Sequence, residues 1–123
     1  ALNDASDVLW AAMDGAVMEM ALEDEEATIA NIYDVSAILR TPDGLCLSPD
    51  ERTLYVTDPS VRSLMKIDLQ SGMLTKLFNA SDPNGSQQEP NGCSVDPSGE
   101  TVWLVNRDQS ITAFDMATGT VGL

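Results

Sequence analysis

Residues 42–58 read PDGLCLSPDERTLYVTD and residues 90–106 read PNGCSVDPSGETVWLVN, so one pattern occurs twice, 48 residues apart. The similarity continues to Gly72 and Gly119, which lie 47 residues apart, so a single deletion in the loop after Asp58 accounts for the difference. A repeat of this length, with short strand-like runs and turn residues at fixed places, is typical of β-propeller blades.

Each copy of the repeat predicts four short strands separated by turns. The runs between the turns are rich in β-branched, aromatic and other apolar residues, which favours strands. Tyr55 and Trp103 are equivalent in the two copies, so we interpret both as residues that pack one blade on the next. The predicted strands are residues 45–47, 53–57, 63–69 and 74–78 in the first copy, and 93–95, 101–105, 111–116 and 120–123 in the second.

The start of the chain does not show the repeat clearly. Two apolar runs, Val8–Met13 and residues 16–22, flank Asp14-Gly15, which is a strong signal for a hairpin whose two turn residues both have positive φ. A helix over residues 8–22 is the alternative, because Ala and Met favour helices. The hairpin would form strands two and three of a blade with residues 27–33 as the fourth. Otherwise it would form strands three and four, with residues 27–40 as a long connection.

The sequence therefore predicts an all-β fold, a partial β-propeller of about two and a half to three four-stranded antiparallel blades. We expect a partial blade at residues 8–40, a blade at 41–78, a loop at 79–89 and a blade at 90–123. Closed propellers have about four to eight blades. We therefore expect another protein chain, a second copy or further sequence to cover the open blade faces, which makes the chain a fragment or a subunit of an oligomer.

The chain is strongly acidic, with a formal net charge of −14, and its first 39 residues carry nine acids and no base. Such a charge repels phosphate backbones, so we expect no nucleic-acid partner. No window of about 20 residues is apolar enough for a transmembrane helix, so we expect no membrane span.

Two glycosylation acceptor patterns favour a secreted protein. Asn79-Ala80-Ser81 and Asn84-Gly85-Ser86 both fit the pattern Asn-x-Ser/Thr, and both fall in the loop predicted at residues 79–89. We therefore expect an extracellular glycoprotein, with Asn79 as the preferred acceptor and Asn84 as the second.

The two cysteines are one position out of step in the repeat, since Cys93 aligns with Leu45 and not with Cys46. Successive strand residues point to opposite faces, so the two thiols either face each other between adjacent blades or point apart. Only the first arrangement permits a disulfide. Two buried free thiols and a Cys46–Cys93 disulfide are the two alternatives, and the tendency of free cysteine to be buried favours the thiols.

The repeat resembles the blade signature of the senescence-marker-protein/gluconolactonase family and of the related strictosidine-synthase-like propellers. The similarity covers residues 41–123, about two thirds of the chain. In lactonase-like members, the middle residue of Pro-Asn-Gly or Pro-Asp-Gly helps to hold a divalent cation that polarises a lactone carbonyl. The resemblance thus implies Asp43 and Asn91 as candidate metal ligands and Ca²⁺ as a candidate cofactor.

The match to the family's metal site is incomplete. The family usually has Asn in the earlier blade and Asp in the later one, whereas this chain has Asp43 first and Asn91 second. The family's metal-binding Glu lies in an early blade, and this chain has no matching motif. Asp43 and Asn91 also suit a purely structural role, because Asx side chains before glycine bond the backbone in turns.

No other catalytic constellation is present. The chain has no His, which excludes Ser-His-Asp and Cys-His nucleophile arrangements within it. Two function classes stay open. One is a structural or protein-interaction module, and the other is part of a divalent-metal-dependent lactone hydrolase that resembles gluconolactonases.

Overall fold

The computed structural model describes residues 8–23, 26–79 and 88–122. These residues form three antiparallel sheets of three, four and four strands, so the predicted all-β class and partial propeller are confirmed. The first sheet contains β1 (Val8–Met13), β2 (Ala16–Glu23) and β3 (Glu26–Asp34). The second contains β4 (Gly44–Leu47), β5 (Thr53–Asp58), β6 (Ser63–Asp68) and β7 (Leu74–Phe78). The third contains β8 (Pro90–Val95), β9 (Thr101–Asn106), β10 (Ile111–Asp115) and β11 (Thr120–Gly122).

The strands of the two repeat copies lie close to their predicted positions. The largest difference is β8, which begins at Pro90 rather than Cys93 because Pro90 pairs with Asn106 across a bulge. A short 3-10 helix at Pro59–Val61 connects β5 to β6. Within the described ranges, no helix is long and apolar enough to cross a membrane.

The start of the chain forms the predicted hairpin, and the helical alternative is wrong. β3 pairs with β2 along its length, so the reading of residues 27–40 as a long connection is also wrong. Of the two turn residues, only Gly15 has a positive φ, at 69°. The backbone N–H of Val35 donates to the Gly15 carbonyl at 2.9 Å, so the segment after β3 packs onto this turn.

The sheets stack side by side as propeller blades, with the inner strands β4 and β8 in contact. We call the face of a sheet that is turned toward the preceding blade its leading face, and the opposite face its trailing face. The trailing face of the first sheet packs on the leading face of the second. The buried residues of this interface, together with the segment after β3, are Trp10, Val17, Val35, Leu39, Leu54, Val56, Met65 and Ile67.

A second apolar cluster joins the trailing face of the second sheet to the leading face of the third. The rings of Phe78 and Phe114 meet there with centroids 5.7 Å apart. Its buried members are Cys46, Tyr55, Leu64, Phe78, Val102, Leu104 and Phe114. Burial of these side chains is the main source of stability between the two blades.

Tyr55 and Trp103 have different surroundings although they are equivalent in the repeat. Tyr55 is 4% exposed because the third sheet covers it, which agrees with its interpretation as a packing residue. Trp103 is 41% exposed, because no described residue covers the trailing face of the third sheet.

Candidate functional site at the start of the inner strands

Asp43 and Asn91 lie at the same end of two adjacent inner strands. Asp43 immediately precedes β4, Asn91 is the second residue of β8, and both are exposed. Pro90 pairs with Asn106 and Gly92 pairs with Val105, so Asn91 is the extra residue of a β-bulge. Bulges re-aim side chains and are frequent beside functional sites.

Gly44 lets the two blades approach each other at this point. A Cβ placed on Gly44 would lie 2.6 Å from the Asn91 carbonyl oxygen and 2.9 Å from the Gly92 Cα. Such distances do not occur in folded proteins, so any side chain at this position would push the inner strands apart. The close approach thus fixes the position of Asp43 relative to Asn91.

Thr57 anchors the residues around Asp43 from the neighbouring strand. The Asp43 backbone N–H donates to the Thr57 carbonyl at 2.8 Å, and the Gly44 N–H donates to the Thr57 hydroxyl at 3.1 Å. The Thr57 side chain is fully buried. The backbone on both sides of the Asp43 side chain is therefore held to a rigid strand.

Asp58 holds the segment that leads into this site. Its buried carboxylate accepts hydrogen bonds from the backbone N–H groups of Arg40 and Thr41, both at 2.7 Å. The Ser60 hydroxyl and backbone N–H also donate to it, at 2.6 and 2.9 Å. Burial alone would raise the pKa of Asp58, but the hydrogen bonds from Ser60, Thr41 and Arg40 outweigh it and lower the pKa. The carboxylate thus stays ionised where an ordinary aspartate begins to protonate.

Sequence reasoning did not assign this role to Asp58. The available signal was its place at the end of a strand in both repeat copies, where Asn106 is its equivalent. The amide nitrogen of Asn106 donates to the hydroxyls of Thr112 at 2.7 Å and Ser110 at 3.1 Å. Its oxygen is buried and accepts no hydrogen bond. Asn106 thus bonds residues of its own hairpin, whereas Asp58 bonds the segment before its inner strand.

Hydrogen bonds lower the pKa of Asp50, between β4 and β5, and of Asp96, between β8 and β9. The Asp50 carboxylate accepts hydrogen bonds from the Ser48 hydroxyl and the Arg52 backbone N–H. The Asp96 carboxylate accepts hydrogen bonds from the hydroxyl and the backbone N–H of Ser98. The hydrogen bond from the Ser48 hydroxyl is the main reason that the pKa of Asp50 is lowered, and the hydrogen bond from the Ser98 hydroxyl is the main reason that the pKa of Asp96 is lowered. A cation near the chain therefore meets ionised carboxylates at neutral pH.

Asp43 and Asn91 offer only part of a metal site. Their side chains supply hard oxygen donors, which suit Ca²⁺, but Ca²⁺ takes about six to eight oxygen ligands. Within residues 8–23, 26–79 and 88–122, no three His, Cys, Asp or Glu side chains are grouped so that they could hold a metal ion. A metal at this end of the strands would need further ligands, so this role of Asp43 and Asn91 stays a prediction.

Cys46 and Cys93 form a disulfide between the second and third sheets. Cys46 lies opposite Tyr55 on the trailing face of one blade, and Cys93 lies opposite Leu104 on the leading face of the next. Their Cα atoms are 5.7 Å apart. Of the two arrangements that strand parity left open, the structure shows the one in which the sulfurs face each other, and the two-free-thiol alternative is not seen.

Of the two predicted glycosylation acceptors, only Asn79 lies within the described residues. Asn79 directly follows β7, whereas Asn84 lies outside the described residues, as do the remaining residues of both acceptor patterns. Glycosylation of either residue stays a prediction.

Comparison with protein families agrees with the propeller fold. Residues 3–122 match the model of the family described as SMP-30/Gluconolactonase/LRE-like region. The chain belongs to this family. The match includes the first sheet, where the sequence alone showed no clear repeat.

Solved structures of low sequence identity share this fold, and one of them is a β-propeller domain. The Cps50 (Swd1) β-propeller domain from Myceliophteria thermophila has a TM-score of 0.70 and 16% identity, and the similarity covers 94% of this chain and 33% of that one. Hydrazine synthase from Kuenenia stuttgartiensis has a TM-score of 0.74 and 16% identity, covering 98% of this chain and 32% of that one. A chain of a nidogen/laminin complex has a TM-score of 0.69 and 22% identity, and the similarity covers 93% of this chain and 42% of that one.

These similarities establish the fold of this SMP-30/gluconolactonase-like chain and not its activity. The chain spans between 32% and 42% of the length of these three structures. No curated protein matches it.

Proposed function

We propose that this chain is a segment of a secreted, acidic propeller that acts as a structural or protein-interaction module. Another chain, a second copy or further sequence completes it. The observation that carries this proposal is the apolar trailing face of the third sheet. Trp103, Val105 and Ile111 are exposed there, at positions where the second sheet is covered by its neighbour. Exposed apolar patches of this kind mark interaction surfaces.

Two features support an extracellular setting. The Cys46–Cys93 disulfide joins separate blades, and disulfides persist mainly in oxidising compartments. The acceptor patterns at Asn79 and Asn84 fit the same setting, because a glycan is bulky and belongs on an exposed loop.

The intact mass of the protein from its natural source tests this setting. We expect a mass above that of the polypeptide, with the excess removed by an endoglycosidase and located first at Asn79. Asn84 should be modified less, because both acceptors crowd one loop. Unmodified asparagine at both positions in protein from a eukaryotic source would remove the main support for secretion.

A second candidate function is supported by the family match and by the placement of Asp43 and Asn91. In this reading the chain is part of a divalent-metal-dependent lactone hydrolase, in which Asp43 and Asn91 would be two of the metal's oxygen ligands. Ca²⁺ would supply the polarisation of the lactone carbonyl. Gly44, Thr57 and Asp58 fix the backbone around Asp43 and would hold these two residues in place beside a metal.

A Ca²⁺ titration followed by calorimetry tests this candidate. We expect Asp43→Ala and Asn91→Ala each to weaken binding at least about tenfold, because even outer-shell partners of metal ligands cost about 10- to 100-fold when removed. Asp14→Ala is the matched control, since it removes an exposed carboxylate in the first hairpin turn. If the wild type and all three variants bind Ca²⁺ equally weakly, Asp43 and Asn91 are turn residues and the metal-dependent candidate fails.

A further inference from the structure

A polar cavity of about 280 Å³ lies between the second and third sheets, beside the turns that follow their inner strands. Its walls come from β5, from the turn between β4 and β5, and from the turn between β8 and β9. Both blades that form it belong to the described part of the chain, so the cavity does not depend on what covers the outer sheet faces. Its lining includes Ser48, Asp50, Thr53, Tyr55, Ser98 and Gly99.

The Tyr55 hydroxyl has no hydrogen-bond partner among the described residues, although Tyr55 is only 4% exposed. Burial and, after it, the negative charge of Asp50 raise the pKa of Tyr55, so the Asp50 carboxylate acts on this hydroxyl across the cavity. A buried hydroxyl without a partner costs free energy. A phenyl ring would fill the same space without that cost, so the hydroxyl indicates a polar partner in the cavity.

Asp50 supplies a negative charge with one carboxylate oxygen still available. The Ser48 hydroxyl donates to Asp50 Oδ1 at 2.6 Å, and the Arg52 backbone N–H donates to the same oxygen at 3.0 Å. These two bonds keep the carboxylate ionised and fix its position in the turn. The Oδ2 atom receives neither bond, so it is free to accept from a ligand.

The serine hydroxyls of the lining have already committed their protons. The Ser48 hydroxyl donates to Asp50, and the Ser98 hydroxyl donates to Asp96. Each of these two oxygens also accepts one backbone N–H. A hydroxyl oxygen has two lone pairs, so each keeps one for a further donor. The cavity thus offers mainly hydrogen-bond acceptors, and none of its described lining residues is cationic.

We propose that this cavity binds a primary ammonium group carried on a short carbon chain. An ammonium has three donors and no acceptor, which matches Asp50 Oδ2, the Tyr55 hydroxyl oxygen and the free lone pairs of the serine oxygens. Asp50 is the one carboxylate among the described lining residues, too few for a divalent metal. The carbon chain has to be short, because the cavity is smaller than the roughly 300–1,000 Å³ of drug-sized sites.

An NMR titration of the folded protein with butylammonium tests the site, and 1-butanol is the neutral probe of similar shape. Asp50→Asn removes the charge, and Tyr55→Phe removes only the hydroxyl. Asp34→Asn is the matched control, because Asp34 is an exposed carboxylate that accepts the hydroxyl and backbone N–H of Ser36 and does not line the cavity. Urea unfolding checks each variant. Tyr55→Phe should keep the wild-type midpoint, because it removes no hydrogen bond within the described chain.

We expect butylammonium to cause saturable shifts in the amide signals of residues 48–55 and 98–99, and 1-butanol to cause none. Asp50→Asn should raise the Kd for butylammonium about tenfold or more, because it removes the charged partner. Tyr55→Phe should raise the Kd about fivefold, because it removes one neutral acceptor. Asp34→Asn should bind like the wild type.

Equal binding of butylammonium and 1-butanol would overturn the proposal, because the cavity would then bind the carbon chain and not the ammonium. An equal loss of affinity in Asp34→Asn and Asp50→Asn would overturn it too, since the amine would then follow only the overall charge of −14. The absence of saturable shifts in the wild type, or an unchanged Kd in a folded Tyr55→Phe or Asp50→Asn, would have the same consequence.

Discussion

Replacement of Gly44 by alanine is expected to destabilise the protein by about 3 kcal/mol or more, the upper part of the range for overpacking. The added Cβ would lie 2.6 Å from the carbonyl oxygen of Asn91 and 2.9 Å from the Cα of Gly92. The Thr57 hydroxyl oxygen would lie closer still, at 2.5 Å, and belongs to a side chain, but the two atoms of the next blade are backbone atoms and cannot rotate away. The second and third sheets would have to separate, which would also weaken the contacts among Tyr55 and its neighbours.

The matched control is Gly92→Ala in the equivalent position of the next blade. A Cβ on Gly92 meets nothing within 4 Å, so its effect should stay within about 0.5 kcal/mol. Urea unfolding of both variants gives the comparison. Equal unfolding free energies for the two variants would contradict the close approach of the inner strands at Gly44.

Loss of the Cys46–Cys93 disulfide is expected to lower the free energy of unfolding by about 2 to 4 kcal/mol. The bond closes a loop over a sequence separation of 47, for which chain entropy alone gives about 4 kcal/mol. Cys46→Ala/Cys93→Ala removes the bond together with two sulfur atoms. Urea midpoints of this double variant and of the oxidised wild type measure the difference.

The reduced wild type separates the bond from the packing of the sulfur atoms. It keeps both side chains, so its stability should fall most of the way to that of the double variant. If reduction leaves the unfolding free energy unchanged while the double variant is destabilised, the loss comes from packing at the buried Cys46, and the cross-link contributes nothing.

The repeat predicted the second and third sheets well because the same pattern was available twice. The turn at residues 48–51 and the strand that begins at Thr53 both recur in the second copy, where the matching strand begins at Thr101. The pattern of the first sheet has no second copy in the sequence. The hairpin of β1 and β2 could therefore be assigned, but the pairing of β2 with β3 could not. That pairing was one of two alternatives, because the sequence left open whether residues 27–33 form a strand or residues 27–40 form a long connection.

The candidate site was predictable only in part. Its two residues, Asp43 and Asn91, are visible as equivalent positions of the repeat. The close approach at Gly44 is not, because it depends on how near two inner strands lie in space. Strand parity left two arrangements for the cysteines, since the sequence does not say which faces meet. Trp103 shows the same limit, because its exposure depends on a neighbour that the repeat alone cannot place.

Disulfide mapping tests most directly the central claim that the inner strands of the second and third sheets lie side by side. Trypsin cuts after Arg40, Arg52, Lys76 and Arg107, which places Cys46 in the peptide 41–52 and Cys93 in the peptide 77–107. The folded protein is first reduced, then mildly reoxidised at high dilution, and digested without reductant. We expect these two peptides to be linked within one chain and to separate on reduction. Two free thiols after this treatment, or links only between chains, would contradict the arrangement of the blades.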